Sequence, residues 1–259
     1  MHIFATGKSP QYPMNSSETE WFASWFDSPY YPMLYRHRDE SEAAELLTNL
    51  HQLLSLPKQA CVLDLCCGQG RHARTLHSLG YSVVGIDLSP ASIAHACKLA
   101  SEGQRFEVQD MRSFALPEKF DAVFNLFTSF GYFDSNEENM RVLHRIAGHL
   151  NHNGVLVIDY LNAQPLLSHK DQEASHTVGH VTFKTFKFIE GNSIVKQITV
   201  TDGEHVHRFS ERVQLLTLDQ FSAMLQAAGF EIRHVFGDYR LAPYQPEQSP
   251  RCLIIASKS

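Results

Sequence analysis

Val62-Leu63-Asp64-Leu65-Cys66-Cys67-Gly68-Gln69-Gly70-Arg71-His72-Ala73 reads as a buried strand, a tight glycine turn and the first turn of a helix. Val62, Leu63 and Leu65 form the short apolar run expected of a central parallel strand. Gly68 and Gly70 remove side chains where the backbone must bend sharply and let a ligand approach. From Arg71 to Leu79 the spacing of Ala73, Leu76 and Leu79 predicts a helix, with Gly80 as its stop. A helix beginning at such a bend offers free N–H groups to an anionic ligand group. Which ligand it serves is decided by the rest of the chain.

Working outward, the same rhythm repeats. Ser82–Asp87 predicts a second strand, after which Ser89 caps and Pro90 opens a helix. Arg105–Gln109 predicts a third strand ending at Asp110, and Phe120–Leu126 a fourth. A helix from Glu137 to Leu150 places Met140, Leu143, Ile146, Ala147 and Leu150 toward the core, and Asn153-Gly154 turns into a fifth strand, Val155–Tyr160. Strands alternating with helices imply a mostly parallel sheet covered on both faces. Between Thr177 and Leu216 the pattern switches to period two, with hairpin signals at Glu190-Gly191-Asn192 and Asp202-Gly203, which predicts three antiparallel strands. The βα rhythm returns at Thr217-Leu218-Asp219-Gln220, a capping-box pattern opening a helix that stops at Gly229. Two strands follow, Glu231–Phe236 and Arg251–Ala256, separated by a proline-containing loop.

The N-terminal part is different in kind. Met1 to Pro13 is polar and without periodicity. An aromatic cluster follows: Trp21, Phe22, Trp25, Phe26, Tyr30, Tyr31 and Tyr35. Its spacing suits a helix packed on the domain face, and its composition suits a lid over a ligand. Ser41 is placed to cap a helix running to Leu54, with Leu46, Leu47, Leu50, Leu53 and Leu54 on its buried side and Pro57 beyond its end.

Composition bounds the chemistry. The 259 residues carry a formal net charge of −6, which argues against a dedicated nucleic-acid binder. No stretch is long and apolar enough to span a membrane, and the first residues lack the apolar core of a secretory signal. Five cysteines, two of them adjacent and none in a C-x-x-C pair, speak against a disulfide framework and a structural zinc site, and for a reduced, cytoplasmic setting. Fifteen histidines include the pairs His176/His180 and His205/His207, but no third ligand stands at a metal-binding spacing, so no metal is expected.

In an open α/β sheet, ligands bind beyond the carboxyl ends of the strands. Here those ends bring Asp64 to Gly70, Asp87, Asp110 and the segment from Asn125 to Phe133 to one edge. Gly68-Gln69-Gly70-Arg71-His72-Ala73 also satisfies G-x-G-x-x-A, with Asp87 near the place of a ribose-binding acid, so an NAD-dependent oxidoreductase is a competing reading. Taken singly, Asp64 would serve to bond the turn's backbone, and Asp87 and Asp110 would be solvated strand ends; taken together, three acids and two glycines at one edge point to a ligand.

That combination resembles the class I S-adenosylmethionine-dependent methyltransferases over about Ala60 to Tyr160, with Asp64-Leu65-Cys66-Cys67-Gly68-Gln69-Gly70 as a close form of their first motif. The resemblance implies a Rossmann-like, doubly wound, mostly parallel seven-stranded sheet with an antiparallel sheet inserted after the fifth strand. It implies S-adenosyl-L-methionine as cofactor. Asp64, Cys66, Gly68 and Gly70 would form the turn beside its amino-acid part. Asp87 would take both ribose hydroxyls and Leu88 would flank the adenine. Asp110 would accept from the adenine amino group with Met111 beside it. Asn125, Leu126 and Phe127 would line the methionine side.

More loosely, Asp110–Phe114, Ser129–Tyr132 and His207–Glu211 resemble the glycine and deoxyamino-sugar N-methyltransferases. In that group the inserted sheet forms the substrate side or a dimer contact, and a basic residue of the N-terminal lid holds the cofactor carboxylate, a part open here to Arg38 or Arg36. Tyr132 stands where the sugar enzymes usually carry histidine. Trp25, Tyr31, Tyr35 and Tyr132 are the candidates for the acceptor side, Tyr132 for orienting the acceptor. The expected organisation is an aromatic helical lid over residues 1–56, a methyltransferase core over 57–162 and 214–259, and inserted strands over 163–213. The expected activity is in-line methyl transfer to a nitrogen or oxygen of a small molecule by a monomer or homodimer, without nucleic-acid or membrane partners. Besides the oxidoreductase, the alternative is a non-catalytic scaffold retaining the fold.

Overall fold

The computed structural model describes residues 20–36, 40–167 and 171–258. The first strand, β1 (Cys61–Leu65), lies between β2 (Ser82–Asp87) and β4 (Phe120–Asn125), parallel to both. β3 (Gln104–Val108) flanks β2, and β5 (Leu150–Leu161) flanks β4. The last strands, β10 (Phe230–Phe236) and β11 (Arg251–Lys258), complete the order β10-β11-β5-β4-β1-β2-β3, with β11 antiparallel to both neighbours. From β1 the chain winds outward to β3 and then returns to the other side of β1. The crevice at the carboxyl ends of β1 and β4 is therefore the switch point where such sheets bind ligands.

Alternate residues of each strand enter two cores, as a covered parallel sheet requires. On one face Leu63, Leu65, Val123, Ile158 and Ile254 pack with α6 (Asn136–His149) and α8 (Leu218–Ala227) through Val142, Ile146, Phe221 and Leu225. On the other, Val62, Val83, Phe124 and Val157 pack with α3 (Glu40–Leu54), α4 (Arg71–Ser78) and α5 (Pro90–Lys98) through Leu46, Leu50, Leu76 and Ile93. The local signals act as read. Ser89 accepts the Ser92 N–H with Pro90 in the first turn, and Thr217 and Gln220 close a capping box. A short helix, α7 (Ala163–Leu166), follows β5.

The inserted sheet has four strands, not three: β6 (Gln172–Val178), β7 (Val181–Glu190), β8 (Ser193–Asp202) and β9 (His205–Gln214). The additional strand is joined by a two-residue turn at Gly179-His180, between paired Val178 and Val181. Its side chains are almost all exposed, so it lacks the apolar alternation that marked the others.

Three further expectations are corrected. The N-terminal aromatics form two short helices, α1 (Trp21–Phe26) and α2 (Tyr30–Leu34), broken before Pro29, which lacks the N–H to continue a helix. The third helix starts at Glu40, so Ser41 lies inside its first turn instead of capping it. Leu53 is exposed, because the buried stripe of that helix is set by Leu46, Leu47 and Leu50. Residues Met1 to Pro13 lie outside the described residues.

Candidate active site

The glycine turn is held by its neighbours' backbone. Cys67 N–H donates to Ile86 O at 2.9 Å and Gly70 N–H to Cys67 O at 2.9 Å, while Cys66, Gly68 and Gly70 take φ of 65°, 53° and 79°. Those left-handed angles suit glycine at two positions and carry a cost at Cys66. A side chain on Gly70 would also meet Ala96 Cβ and Phe106 Cζ at 3.2 Å, so this glycine lets α4 pack closely, whereas Gly68 faces open space.

Two acids bracket the turn. Asp64 is 1% exposed; it accepts the Ala73 N–H, and its Oδ2 has no partner. Burial, with Asp87 nearby, pushes its carboxyl up to about 7, against the Ala73 hydrogen bond and the Arg71 charge. Asp87 Oδ2 accepts Gly68 N–H at 2.8 Å and Oδ1 accepts Ser89 N–H at 2.9 Å, which leaves each oxygen a lone-pair site. Burial raises Asp87 despite those bonds. Burial likewise raises the Cys66 and Cys67 thiols, so neither is an activated nucleophile.

About 630 Å³ of open space lies beside this turn, within the range of small-ligand sites. Cys66, Gly68, Asp87, Leu88, Ser92, Gln109, Asp110 and Met111 line one end, and Phe22, Phe26, Tyr31, Ser129, Tyr132 and Phe133 the other. Asp110 does not project alone. Its Oδ1 accepts Arg112 N–H at 2.7 Å and Oδ2 accepts Arg112 Nη2 at 2.6 Å, while the same guanidinium reaches Glu20 and Glu138. Burial would raise the Asp110 carboxyl, but the Arg112 bonds prevail and hold it below the usual range.

The segment after β4 is placed differently from its reading. Asn125 is fully buried, and its Nδ2 donates to Leu65 O at 3.2 Å and Ser129 O at 3.0 Å. It ties the loop to β1 and does not face the cavity. Leu126 packs into the α3–α4 core, since strand alternation turns it there. Phe127 is not among the cavity-lining residues; its ring lies under Arg71, with the guanidinium carbon 5.6 Å from the ring centre, and 6.3 Å from Tyr35.

The lid is joined to both sheets. Trp25 is fully buried, packs on Phe209 and donates Nε1–H to Glu211 at 2.7 Å; it is a core anchor, not a cavity wall. Tyr35 is likewise turned away, its hydroxyl 2.7 Å from Glu211 Oε1 and 2.8 Å from Lys196 Nζ. Tyr31 and Tyr132 do line the cavity, with Phe26 edge-on to Tyr31 at 4.9 Å and 5.4 Å from Tyr132. Burial holds all three phenols protonated, Tyr132 well above its ordinary value. Asp27, between α1 and α2, accepts Ser89 Oγ–H at 2.6 Å and Ala91 N–H at 3.0 Å. Arg38 lies outside the described residues, and Arg36 is exposed. Reading the sequence missed Phe22, Phe26 and Phe133 as individual wall residues, and Asp27, Arg112 and Glu211 as their supports. The aromatics carried a composition signal; the supports carried none.

This cavity fits a nucleoside bearing an amino-acid arm. Asp87 has acceptor sites left for a diol, Leu88 and Met111 offer apolar flanks, and the orphan Asp64 oxygen can take a cationic group beyond the open turn at Gly68. No group of His, Cys, Asp or Glu among the described residues is arranged to hold a metal ion.

Known proteins agree with that chemistry. A methyltransferase domain model matches residues 62–154. A dTDP-3-amino-3,4,6-trideoxy-α-D-glucopyranose N,N-dimethyltransferase of Streptomyces venezuelae is 28% identical over 80% of this chain and 91% of its own. The sugar N-methyltransferase KedS8 from Streptoalloteichus superposes with a TM-score of 0.69 at 25% identity, over 99% of each chain. An S-adenosylmethionine-dependent methyltransferase from Clostridium acetobutylicum shares the fold at 18% identity and a TM-score of 0.76, over 89% of this chain and 96% of its own. The dinucleotide-oxidoreductase and scaffold readings are set aside by these matches. The chain is a class I S-adenosylmethionine-dependent methyltransferase, similar within that class to the deoxyamino-sugar N-methyltransferases.

Proposed function

We propose that the protein methylates the amino group of a deoxyamino sugar or a similar small amine. The observation that carries this reading is the acceptor end of the cavity: Phe22, Phe26, Tyr31, Ser129, Tyr132 and Phe133, with no carboxylate, imidazole or ammonium among them. An amine sheds its proton to water before it enters and then attacks without a base. A hydroxyl would need a base there, and phenols held protonated by burial are poor ones. An apolar, aromatic wall also suits a deoxy sugar better than a fully hydroxylated one.

In this reading Asp87 holds the ribose diol, and Leu88 and Met111 flank the adenine. Asp110, fixed by Arg112, accepts from the adenine amino group. Asp64 takes the ammonium of the methionine part, beside Cys66, Gly68 and Gly70. When bound, S-adenosylmethionine supplies a methyl group already activated on a sulfonium. The chain's own task is then to orient the amine and exclude water, which Tyr31, Tyr132 and the lid over them are placed to do. Five unpaired cysteines support an intracellular setting.

The test offers a dTDP-3-amino-deoxy sugar and its 3-hydroxy counterpart with labelled S-adenosylmethionine. The expected result is label in the amine and none above background in the alcohol. Transfer to the alcohol, with the amine inert, would overturn the reading.

A further inference from the structure

Phe127 and Thr128 are consecutive non-glycine residues in the left-handed region, with φ of 59° and 60°. For β-branched Thr128 this is a genuine outlier, and such conformations persist only where the surroundings over-determine them. The surroundings here converge on one residue. Asp159, at the end of β5 and 1% exposed, accepts Phe127 N–H on Oδ2 at 2.9 Å, and its carbonyl accepts Thr128 N–H at 2.8 Å. The same Oδ2 accepts the Tyr239 hydroxyl at 2.9 Å. Oδ1 accepts Arg251 Nε–H at 2.8 Å, and Arg251 Nη2 donates to Thr128 Oγ1 at 2.9 Å. Both ends of the turn, its side chain and its backbone are thus gripped by one buried ion pair. The two-residue turn sits at the root of the loop that supplies Ser129, Tyr132 and Phe133 to the cavity, and it sets Phe127 against Arg71 at the start of α4.

We propose that Asp159 is a positioning residue of the methyltransferase: clamped by Arg251 and Tyr239, it holds Phe127–Thr128 in the strained turn that presents this loop to the methionine arm of the cofactor. The adenosine part rests on β2 and β3 and is independent of the clamp. This rests on the cofactor placement given above, not on the identity of the acceptor.

The clamp is tested with two ligands that differ in the arm, S-adenosylhomocysteine and 5′-methylthioadenosine, titrated by calorimetry. In Asp159→Asn the homocysteine compound is expected to bind about tenfold more weakly, the size of one lost strain-holding contact, while methylthioadenosine binds as before. Adding Thr128→Gly, which removes the left-handed penalty, is expected to recover most of that loss. Because removing a partner of a buried ion pair can unfold a chain, Tyr239→Phe serves as the milder variant, with the same split at smaller size. A purely structural role would lower the melting temperature and leave the two ligands equally affected or unaffected. That outcome, or no recovery with Thr128→Gly, would overturn the proposal. If neither ligand binds the wild-type chain, the cofactor placement fails, and the clamp proposal that depends on it falls with it.

Discussion

Asp64 carries the sharpest residue-level consequence. Its folded-state value of about 7, against an ordinary 3.8, means that the native chain keeps a proton the unfolded chain has already released. Native stability is therefore lost as pH climbs from about 4 through 7, the reverse of a salt-bridged aspartate. Asp64→Asn removes that loss. Without cofactor, its melting temperature is expected to exceed wild type at about pH 8 and to converge with it by about pH 5. A pH-independent difference between the two melting curves would contradict the assignment. Tyr132 gives the kinetic counterpart. With the acceptor an amine and the phenol a positioning group, Tyr132→Phe is expected to lower kcat less than about tenfold, whereas loss of a general base costs roughly 10² to 10⁴. Steady-state rates with the amino sugar decide between the two.

At the scale of elements, the lid owes its place to polar clasps and not to helix propensity, since α1 and α2 are too short to persist alone. Glu20 reaches Arg112, Asp27 caps the start of α5, and Trp25 and Tyr35 share Glu211 on β9. Glu211→Ala leaves two buried donors unsatisfied and cuts the tie between lid and inserted sheet. Hydrogen exchange of the peptide spanning residues 21–35 is expected to quicken and S-adenosylhomocysteine to dissociate faster, with exchange in β1 and β4 unchanged. Unaltered exchange in the lid peptide would show that aromatic packing alone holds it.

Across the whole molecule, what was legible in the sequence was what short-range physics writes. Glycine stops, the Ser89 and Thr217 caps and the apolar runs of β1, β2, β4 and β5 all depend on neighbours within a few residues, and they order the sheet without further help. Strand ends then gathered Asp64, Asp87 and Asp110 at one edge, because topology alone brings them there. The acceptor side was not legible in the same way. Trp25 and Tyr35 are oriented by Glu211, and Phe127 by Asp159, partners remote in sequence that leave no periodic trace. Leu126 and Asn125 were read toward the ligand from the motif, whereas strand alternation and a buried amide turn them into the framework. Strand β6 escaped because an exposed edge strand needs no apolar face.

The central claim is that the ends of β1, β2 and β3 hold the adenosine of the cofactor, with Asp87 on the ribose diol. Calorimetric titration of S-adenosylhomocysteine into wild type and Asp87→Ala tests it most directly, with circular dichroism confirming that the variant is folded. Two lost hydrogen bonds to a charged acceptor predict affinity weaker by at least about a hundredfold. A folded Asp87→Ala protein that binds the ligand as tightly as wild type would contradict the account.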